Sequence, residues 1–304
     1  METREEILKR VPPGDRWVEA NGDGRRVFPS LTAGLEYAFQ KTKCKQYFVD
    51  AGEGKVFMVN HEKDPEPEIQ SFSIYGDYYE VIMNVKLISH TVACGKDVDT
   101  PYDVTQLIAY CARVSNPNNQ MNMDTADKLI AYLIKHKHWS PFEMANVCLE
   151  IETTRDIARQ ILRHRSFTFQ EFSQRYADPV KDLSFEMREP RLQDPKNRQN
   201  SIDNHDAVLE DQWCNKQLGM IEYAKMTYQW ALDHGIAKEV ARAVLPEGLT
   251  MSRMYVNGTI RSWIHYIEIR SDKATQKEHR EIAIECAKVI AGIFPLINEF
   301  SHHA

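Results

Sequence analysis

The chain of 304 residues is 42% hydrophobic, 27% charged and 10% aromatic, which is typical of a globular protein and excludes collagen-like and low-complexity classes. Its length predicts a main domain with an accessory piece. Because 44 acidic residues outnumber 38 basic ones, giving a net charge of −6, neither a general nucleic-acid coat nor an anionic membrane is expected as the main partner.

The first 80 residues contain more frequent turn signals than the rest of the chain. Turn signals at residues 12–14, 21–24 and 64–67 separate short segments, which indicates a small N-terminal α/β extension without an assigned role. Apolar residues then alternate with other residues, as in a strand with one buried face, at Val81, Met83, Val85 and Leu87. We therefore predict an extension over residues 1–80 and a catalytic domain over residues 81–304.

The sequence predicts a cytoplasmic protein. The first ten residues, METREEILKR, contain no apolar signal segment. The longest apolar stretch, around residues 289–297, is interrupted by Gly292 and Pro295 and is far shorter than the roughly 18 residues that a membrane span needs. The six cysteines include no C-x-x-C pair, so neither a zinc site nor a disulfide framework is predicted.

Apolar periodicity predicts the elements of the main domain. A helix over residues 124–137 precedes a strand at 147–151 and a helix at 154–165. The apolar stripe of the first helix and the alternating strand positions are Leu129, Ile130, Leu133, Ile134, Val147, Leu149 and Ile151. Further helices are expected at about 205–234, 236–245, 259–270 and 275–294.

Two helix starts carry the pattern of a capping box, in which a hydroxyl and a carboxylate satisfy backbone N–H groups. The first pairs Ser140 with Glu143, and the second pairs Thr275 with Glu278. The helix that follows the second box is expected to bury Ile282, Cys286, Val289, Ile290 and Ile293.

The densest polar constellation lies between Arg159 and Tyr176. It contains four arginines, one histidine and a single acid, Glu171, but no lysine. If the helix continues to residue 165, Gln160, Arg163 and His164 share a face opposite the apolar stripe. The guanidinium fork binds phosphate bidentately and stacks on flat rings, so this face predicts a phosphorylated planar ligand.

The alternative is a solvated basic helix end, because Arg and His near a C-terminus also complement the helix dipole. The residues that follow favour binding. Polar side chains alternate with aromatic anchors in a turn-like run, expected as an extended loop, that includes Phe167, Phe169, Glu171, Phe172, Ser173, Arg175 and Tyr176. Hydroxyl, carboxylate and guanidinium at such spacing could bind a uracil edge and its phosphate.

These residues carry a resemblance to a known family. Arg163, His164 and Arg165, followed by seven residues and Ser173, resemble the signature of the flavin-dependent thymidylate synthases, over about residues 85–296. The resemblance implies an α+β fold with a mixed helix and antiparallel-sheet catalytic core. It also implies a homotetramer with active sites between subunits.

The resemblance assigns roles by position. It implies Arg270 and Arg175 as catalytic residues. The implied substrate-binding residues are Gln160, Arg163, Glu171, Ser173, Arg175, Arg242 and Arg270, with Arg242 reaching the nucleotide from a neighbouring subunit. The implied flavin contacts are Ser115, His138, Ser140, Glu143, Arg163, His164, Arg165, Gln170, Glu171, Thr259 and His265.

The chain departs from the family pattern at several positions. Thr168 and Gln170 stand where the motif commonly has Ser and Asn, and His265 stands where Asn is frequent. Around residue 258 the alignment shifts by two, so either Asn257 or Thr259 faces the flavin.

The resemblance implies methylation of dUMP to dTMP, with 5,10-methylenetetrahydrofolate as one-carbon donor and FAD, reduced by NADPH, as hydride source. No side chain donates hydride, so a cofactor is required. No cysteine lies between Arg159 and Tyr176. Ser173 has no general base beside it in sequence, so we interpret it as a substrate-binding hydroxyl rather than a nucleophile.

Three alternatives remain at this point. A flavin- and folate-dependent dUMP hydroxymethylase would use the same substrates, and the altered Thr168, Gln170 and His265 keep it open. A noncatalytic nucleotide- or RNA-binding protein would use the arginines without flavin, but the net negative charge opposes it. A metal hydrolase built on His136 and His138 lacks a visible third ligand.

Overall fold

The structure is a computed structural model that describes residues 84–94 and 103–302 with their side chains, and the strands at 18–20, 25–28, 46–50 and 56–60 as backbone only. The chain divides into two compact units. The first comprises Met1–Glu80, Met187–Pro190 and His205–Pro246, and the second comprises Val81–Glu186, Arg191–Asn204 and Glu247–Ala304. The predicted catalytic domain over residues 81–304 stays a prediction.

Strands and helices are numbered here along the described part of the chain. The strands are β1 Val18–Ala20, β2 Arg25–Phe28, β3 Gln46–Asp50, β4 Val56–Asn60, β5 Asn84–His90, β6 Asn146–Thr154, β7 Thr168–Glu171, β8 Leu192–Gln193, β9 Ser201–Ile202 and β10 Met251–Thr259. The helices are α1 Val104–Ala112, α2 Ala126–Lys135, α3 Arg155–Ile161, α4 Pro179–Asp182, α5 Ala207–Asp233, α6 Lys238–Ala241, α7 Ile260–Arg270 and α8 Lys277–Ala291. Short 3-10 helices occupy Pro117–Asn119, Ser140–Met144, Arg242–Val244 and Pro295–Phe300.

The first unit contains an antiparallel sheet in the order β1-β2-β4-β3 and the long helix α5. Asp206 caps α5, because its side chain accepts hydrogen bonds from the backbone N–H groups of Val208 and Leu209. Gly235 follows the end of this helix with φ 76°, a conformation that glycine adopts without strain. The predicted helix at 236–245 is instead one turn, α6, followed by a 3-10 turn.

The second unit is built on an antiparallel sheet in the order β5-β6-β10-β7. Strands β6 and β10 pair along their whole length, from Thr154 opposite Met251 to Asn146 opposite Thr259. The strand predicted at 147–151 is confirmed, and its alternate residues Val147, Leu149 and Ile151 are fully buried. The sheet therefore forms the floor of the core.

Strand β5 confirms the first predicted strand of this unit from residue 84 to residue 87. Val85 packs against the core, whereas Leu87 is 38% exposed. A register shift lies between Leu87 and Ser89. Val81 and Met83, which belong to the same predicted pattern, lie outside the described residues.

Helices cover the sheet and close the core. Helix α8 packs on β5, β6 and α7, and α7 packs on the 3-10 helix at residues 140–144. The indole of Trp263 on α7 is fully buried and donates to the backbone oxygen of Val147 on β6 at 3.1 Å. Among the α8 positions that were predicted to be buried, Ile282, Cys286 and Ile290 are fully buried. The predicted α+β fold with an antiparallel sheet is confirmed.

Helix α2 confirms the predicted stripe, because Ile130 and Leu133 are buried and Leu129 and Ile134 pack against them. The helix ends at Lys135, with His136 at its C-cap. Within the described residues, no helix combines the length and hydropathy that crossing a membrane requires.

The predicted helix at residues 154–165 is four residues too long. Helix α3 ends at Ile161, so Arg163 and His164 lie in the turn that follows and not on a helical face. The chain turns here because residues 168–171 form β7, which pairs with β10. The proposed common face of Gln160, Arg163 and His164 is therefore wrong as a helical feature.

Both predicted capping boxes are also wrong. Trp139 occupies the N-cap of the first segment, and no side chain caps it. Glu143, the predicted carboxylate of this capping box, forms an ion pair with Arg261 instead. At the second site Gln276 is the N-cap, and its side chain forms no capping hydrogen bond. The Thr275 hydroxyl donates to the backbone oxygen of Ile269 at 3.2 Å. The side chains of Glu143 and Thr275 therefore bind other partners and do not cap the helix starts.

Candidate functional site

The turn after α3 and the end of α7 bring His164 and Arg270 together. The Nε of Arg270 donates to the Nε2 of His164 at 2.9 Å, so the proton of the neutral imidazole resides on Nδ1. Burial and the nearby charge of Arg270 lower the pKa of His164 to about 4. His164 is therefore a neutral acceptor at neutral pH, and it holds one edge of the Arg270 guanidinium.

The other donors of Arg270 face no acceptor within the described residues. The Nε hydrogen bond is the single hydrogen bond that the structure gives this guanidinium there, and the side chain is partly exposed. Two Nη groups therefore stay available for a bidentate contact with a phosphate or a carbonyl.

Aromatic rings form the wall behind this pair. The ring of His164 lies edge-on to Tyr266, with centroids 5.1 Å apart, and Phe167 packs on Trp263 at 4.6 Å. A Cβ atom on Gly258 would lie 2.3 Å from the Phe167 ring, so glycine is required where the ring crosses β10. The wall fixes the turn that carries His164.

A chain of polar side chains continues from this cluster. Gln160 Nε2 donates to Gln276 Oε1 at 2.9 Å, and the Nδ1 of His279 lies 3.2 Å from Gln160 Oε1. His279 is fully buried. Burial, followed by the charges of Arg270 and His164, lowers the pKa of His279 to about 3. The rings of His279 and His164 lie with their centroids 6.4 Å apart, so the structure groups Gln160, His164 and Arg270, all predicted site residues.

His279 and Gln276 are not among the residues predicted for the site. The available signal was a histidine three residues before Ile282, on the apolar face of α8. Its partner is 119 positions away in the chain, so no local pattern connects the two.

Glu171 lies in a second cluster with charged partners of its own. Its carboxylate accepts from Arg159 Nη1 and from Ser252 Oγ, both at 3.0 Å, and lies 3.7 Å from the guanidinium of Arg155. Both arginines also pair with Glu247 at 3.2 Å. Two arginines and two carboxylates therefore form one network. Glu171 was predicted as a site residue, whereas Arg155, Ser252 and Glu247 were not.

The segment after Glu171 is a turn, as the turn-like run predicted, but it is not an extended loop. The backbone N–H groups of Tyr176 and Ala177 both donate to the backbone oxygen of Ser173 at 3.1 Å. The Ser173 hydroxyl lies 3.4 Å from the backbone N–H of Arg175. Arg175 is exposed, and its guanidinium lies 5.9 Å from the centroid of the Tyr176 ring. The tight turn follows from these backbone bonds.

The remaining residues of the signature point outward. Arg163, Arg165, Thr168 and Gln170 are all exposed. Within the described part of the chain, the structure gives neither Arg163 nor Arg165 an ion pair. Uncommitted guanidinium groups at the surface are suited to bind an anionic ligand.

A further group of predicted residues lies along the N-terminal half of α7. Glu143 pairs with Arg261, and Trp139 packs edge-on against His265 with centroids 5.0 Å apart. At 1.5 Å per residue, Arg261 and Arg270 lie about 14 Å apart along the helix. Exposed Ser140 and His138 belong to the same segment. This group is therefore separate from the His164–Arg270 pair.

Ser115 lines a surface cavity of about 460 Å³. The wall includes Arg113, Asn119, Thr125 and Lys128. The guanidinium of Arg113 is buried and donates to Thr125 Oγ1 at 2.8 Å. Ala112, Leu129 and Leu133 also line the cavity, so polar and apolar groups share its wall, and Ser115 is the predicted site residue among them.

Thr259 and Asn257 have different tasks in the structure. The Thr259 hydroxyl accepts from the backbone N–H of Ser262 at 3.2 Å and caps α7. Asn257 is exposed on β10, so its side chain is the freer of the two. Arg242 lies in the 3-10 turn of the first unit and is partly buried.

The histidines considered for metal hydrolysis have an aromatic neighbour. The ring centroids of His136 and His138 lie 4.2 Å and 6.2 Å from that of Tyr132. In the part of the chain that the structure describes, no group of His, Cys, Asp and Glu could hold a metal ion. These residues therefore give the metal-hydrolase alternative no support.

Comparison with known proteins identifies the family. The profile of the thymidylate synthase complementing protein family matches residues 98–296, most of the chain and the whole region that carries the clusters above. The chain belongs to the thymidylate synthase complementing protein family.

Individual relatives agree with this assignment. The chain is 47% identical over 215 residues, which is 71% of its length, to a probable flavin-dependent thymidylate synthase of Paramecium bursaria Chlorella virus 1 and to a flavin-dependent thymidylate synthase of Synechocystis. It covers 97% of each of them.

A solved structure supports the fold. The UMP/dUMP methylase PolB from Streptomyces cacaoi, bound with 5-Br UMP, superposes with a TM-score of 0.60 at 24% identity. The match covers 72% of this chain and 92% of the methylase.

Proposed function

We propose that the chain is a flavin-dependent thymidylate synthase that methylates dUMP to dTMP. The one-carbon donor is 5,10-methylenetetrahydrofolate, and NADPH-reduced FAD is the hydride source. The observation that carries the proposal is 47% identity across almost the whole length of two relatives that bear this name. The grouping of Gln160, His164 and Arg270 supports it.

The polar groups on the surface fit FAD. A flavin dinucleotide has a diphosphate and a planar ring, and exposed Arg163 and Arg165 offer donors that have no ion pair among the described residues. Ser115, His138 and Ser140 add exposed polar groups. When bound, FAD reduced by NADPH supplies the hydride that no side chain can donate. Thr259 caps a helix, so Asn257 is the better candidate of the two to face the ring.

The nucleotide is assigned to the residues around Arg270. With its Nε held by His164, Arg270 can direct two Nη groups at an oxygen of dUMP and stabilise negative charge that develops on the uracil. Arg163, Arg175 and the Ser173 hydroxyl provide further donors. Glu171 acts differently from a free acceptor, because its carboxylate orients Arg155 and Arg159.

The predicted homotetramer completes the site in this proposal. Ser115, Glu143 with His265, and His164 with Arg270 form separate groups in one chain. Sites between subunits would allow Arg242 to reach the nucleotide of a neighbouring copy. Light scattering of the purified protein should give a mass four times that of the chain, and a monomer would contradict this part of the proposal. The cytoplasmic location stays a prediction.

The alternatives have less support. The named relatives are thymidylate synthases, which disfavours both the dUMP hydroxymethylase and the noncatalytic nucleotide- or RNA-binding protein. The mass of the product separates methylation from hydroxymethylation, because the hydroxymethyl product is heavier by one oxygen.

The experiment is anaerobic turnover with FAD, NADPH, dUMP and methylenetetrahydrofolate, with the product identified by mass. We expect dTMP. Arg270→Lys keeps the charge but loses the planar fork, and should reduce kcat about 100-fold. Arg198→Lys is the matched control, since Arg198 is exposed in the turn between β8 and β9, and it should retain full activity. Equal activity of the two variants would contradict the role of Arg270.

A further inference from the structure

The polar chain that passes through Gln160 has a defined direction. At one end Glu278 accepts from Arg191 Nη2 through Oε1 at 2.5 Å and from Gln276 Nε2 through Oε2 at 2.9 Å. A carboxylate paired with a guanidinium only accepts hydrogen bonds. The nitrogen of the Gln276 amide must therefore face Glu278, and its oxygen must face Gln160.

The same reasoning fixes the next two groups. Since Gln276 offers its oxygen, Gln160 must donate to it through Nε2, at 2.9 Å. The oxygen of Gln160 is then turned toward His279 Nδ1, at 3.2 Å. His279 must carry its proton on Nδ1 in order to donate.

His279 can act only as a neutral donor through Nδ1. It is fully buried, and its Nε2 has no hydrogen-bond partner among the described residues, so a second proton there would have no acceptor. Burial and the charges of Arg270 and His164 keep its pKa near 3. The ring therefore stays neutral and donates steadily to Gln160.

One group of the Gln160 amide is left over. Its oxygen and one N–H are engaged, whereas its second N–H has no partner within the described residues. We propose that His279 is a positioning residue that orients the Gln160 amide so that it presents this N–H, and not its oxygen, to the nucleotide. The inference rests on the proposed function, because it takes dUMP as the ligand.

The ligand group must then be a hydrogen-bond-accepting oxygen. dUMP offers such oxygens on its uracil carbonyls and on its phosphate. If the amide were reversed, its oxygen would face these acceptors and repel them. Nothing in the sequence pattern of α8 assigns this role to His279.

The test compares two substitutions of one residue. His279→Leu removes the donor, whereas His279→Gln keeps an N–H near the same place. We expect the Kd of the FAD-loaded protein for dUMP, measured by calorimetry without folate, to rise about tenfold in the Leu variant. The Gln variant should stay within about threefold of the natural protein. Equal losses in both variants, or no loss in the Leu variant, would overturn the proposal.

A double-mutant cycle tests whether His279 acts through Gln160. In a Gln160→Ala background, His279→Leu should weaken dUMP binding by less than about twofold, because the amide is already absent. Losses that simply add would overturn the proposal. If the Leu variant fails to fold, Gln276→Leu removes the acceptor at the other side of Gln160 and should weaken binding similarly, and unchanged binding would overturn the proposal.

Two further arms separate the possible outcomes. A loss that persists with deoxyuridine supports an acceptor on the base or sugar, and a loss confined to dUMP supports an acceptor on the phosphate. A natural protein that does not bind dUMP overturns the proposed function and this inference together. Normal dUMP binding with an unaffected His279→Leu variant overturns this inference alone.

Discussion

Replacing Gly258 by alanine should disturb the wall behind His164. The new Cβ would lie 2.3 Å from Cδ1 and 2.5 Å from Cε1 of the Phe167 ring. Carbon atoms in good contact are about 3.5–4.0 Å apart, so the ring must retreat by about 1 Å. The ring is 6% exposed and packs on Trp263 and Tyr266, which leaves it little room.

The expected cost follows from this geometry. Forcing extra volume into a packed core destabilises a protein by about 1–3 kcal/mol. For a unit of this size that free energy lowers the thermal midpoint by roughly 2–12 °C. Because Phe167 follows the turn of His164, we also expect Gly258→Ala to retain less FAD on purification.

Differential scanning calorimetry provides the measurement, with Gly292→Ala as the matched control. Gly292 has φ −62°, and a Cβ there would meet its nearest atom at 3.5 Å, so its midpoint should be unchanged or slightly higher. Phe167→Leu combined with Gly258→Ala should lose less stability than the sum of the single changes. A Gly258→Ala variant as stable as the control would refute the reasoning.

Three other predictions concern stability. The pKa of His164 is about 4 in the fold against 6.5 in the unfolded chain. As the pH falls, the unfolded chain takes up the proton first, so the free energy of unfolding measured with urea should fall between pH 6.5 and pH 4. The fall should be smaller in His164→Gln. Arg155→Met should lower the free energy of unfolding by about 3 kcal/mol, and Arg159→Met should lower it by less than about 1 kcal/mol, because their side chains are 10% and 44% exposed. Thermal unfolding provides the measurement, and equal losses in the two variants would contradict the importance of burial. Thr259→Ala should lower the free energy of unfolding by about 1 kcal/mol, whereas Thr259→Ser should leave it almost unchanged. Calorimetry provides the measurement, and equal stability of the two variants would contradict the capping role of Thr259.

Periodicity predicted the elements whose burial follows one regular pattern. The stripe of α2 and the alternation of Val147, Leu149 and Ile151 both report which side faces the core, and both were found as expected. Such patterns depend only on local geometry, so one sequence is sufficient to recognise them. The signature from Arg163 to Ser173 likewise identified the region in which His164 meets Arg270.

Long-range partners could not be predicted in this way. Helix α3 stops at Ile161 because the next residues pair with β10, a strand about ninety positions later in the sequence. Glu143 was expected to cap a helix, but it pairs with Arg261, which is 118 positions away in the chain. The pairing of His279 with Gln160 spans a similar distance. These contacts depend on the assembled fold, which no local pattern specifies.

The direct passage from β10 into α7 has a consequence for how this chain can vary in length. Thr259 is both the last residue of the strand and the cap of the helix. One inserted residue in β10 would reverse the faces of the strand residues beyond it or rotate α7 by about 100°, carrying Arg270 away from His164. The exposed turn between β8 and β9 carries no such coupling. Insertions and deletions should therefore be tolerated in that turn and rejected between residues 251 and 270.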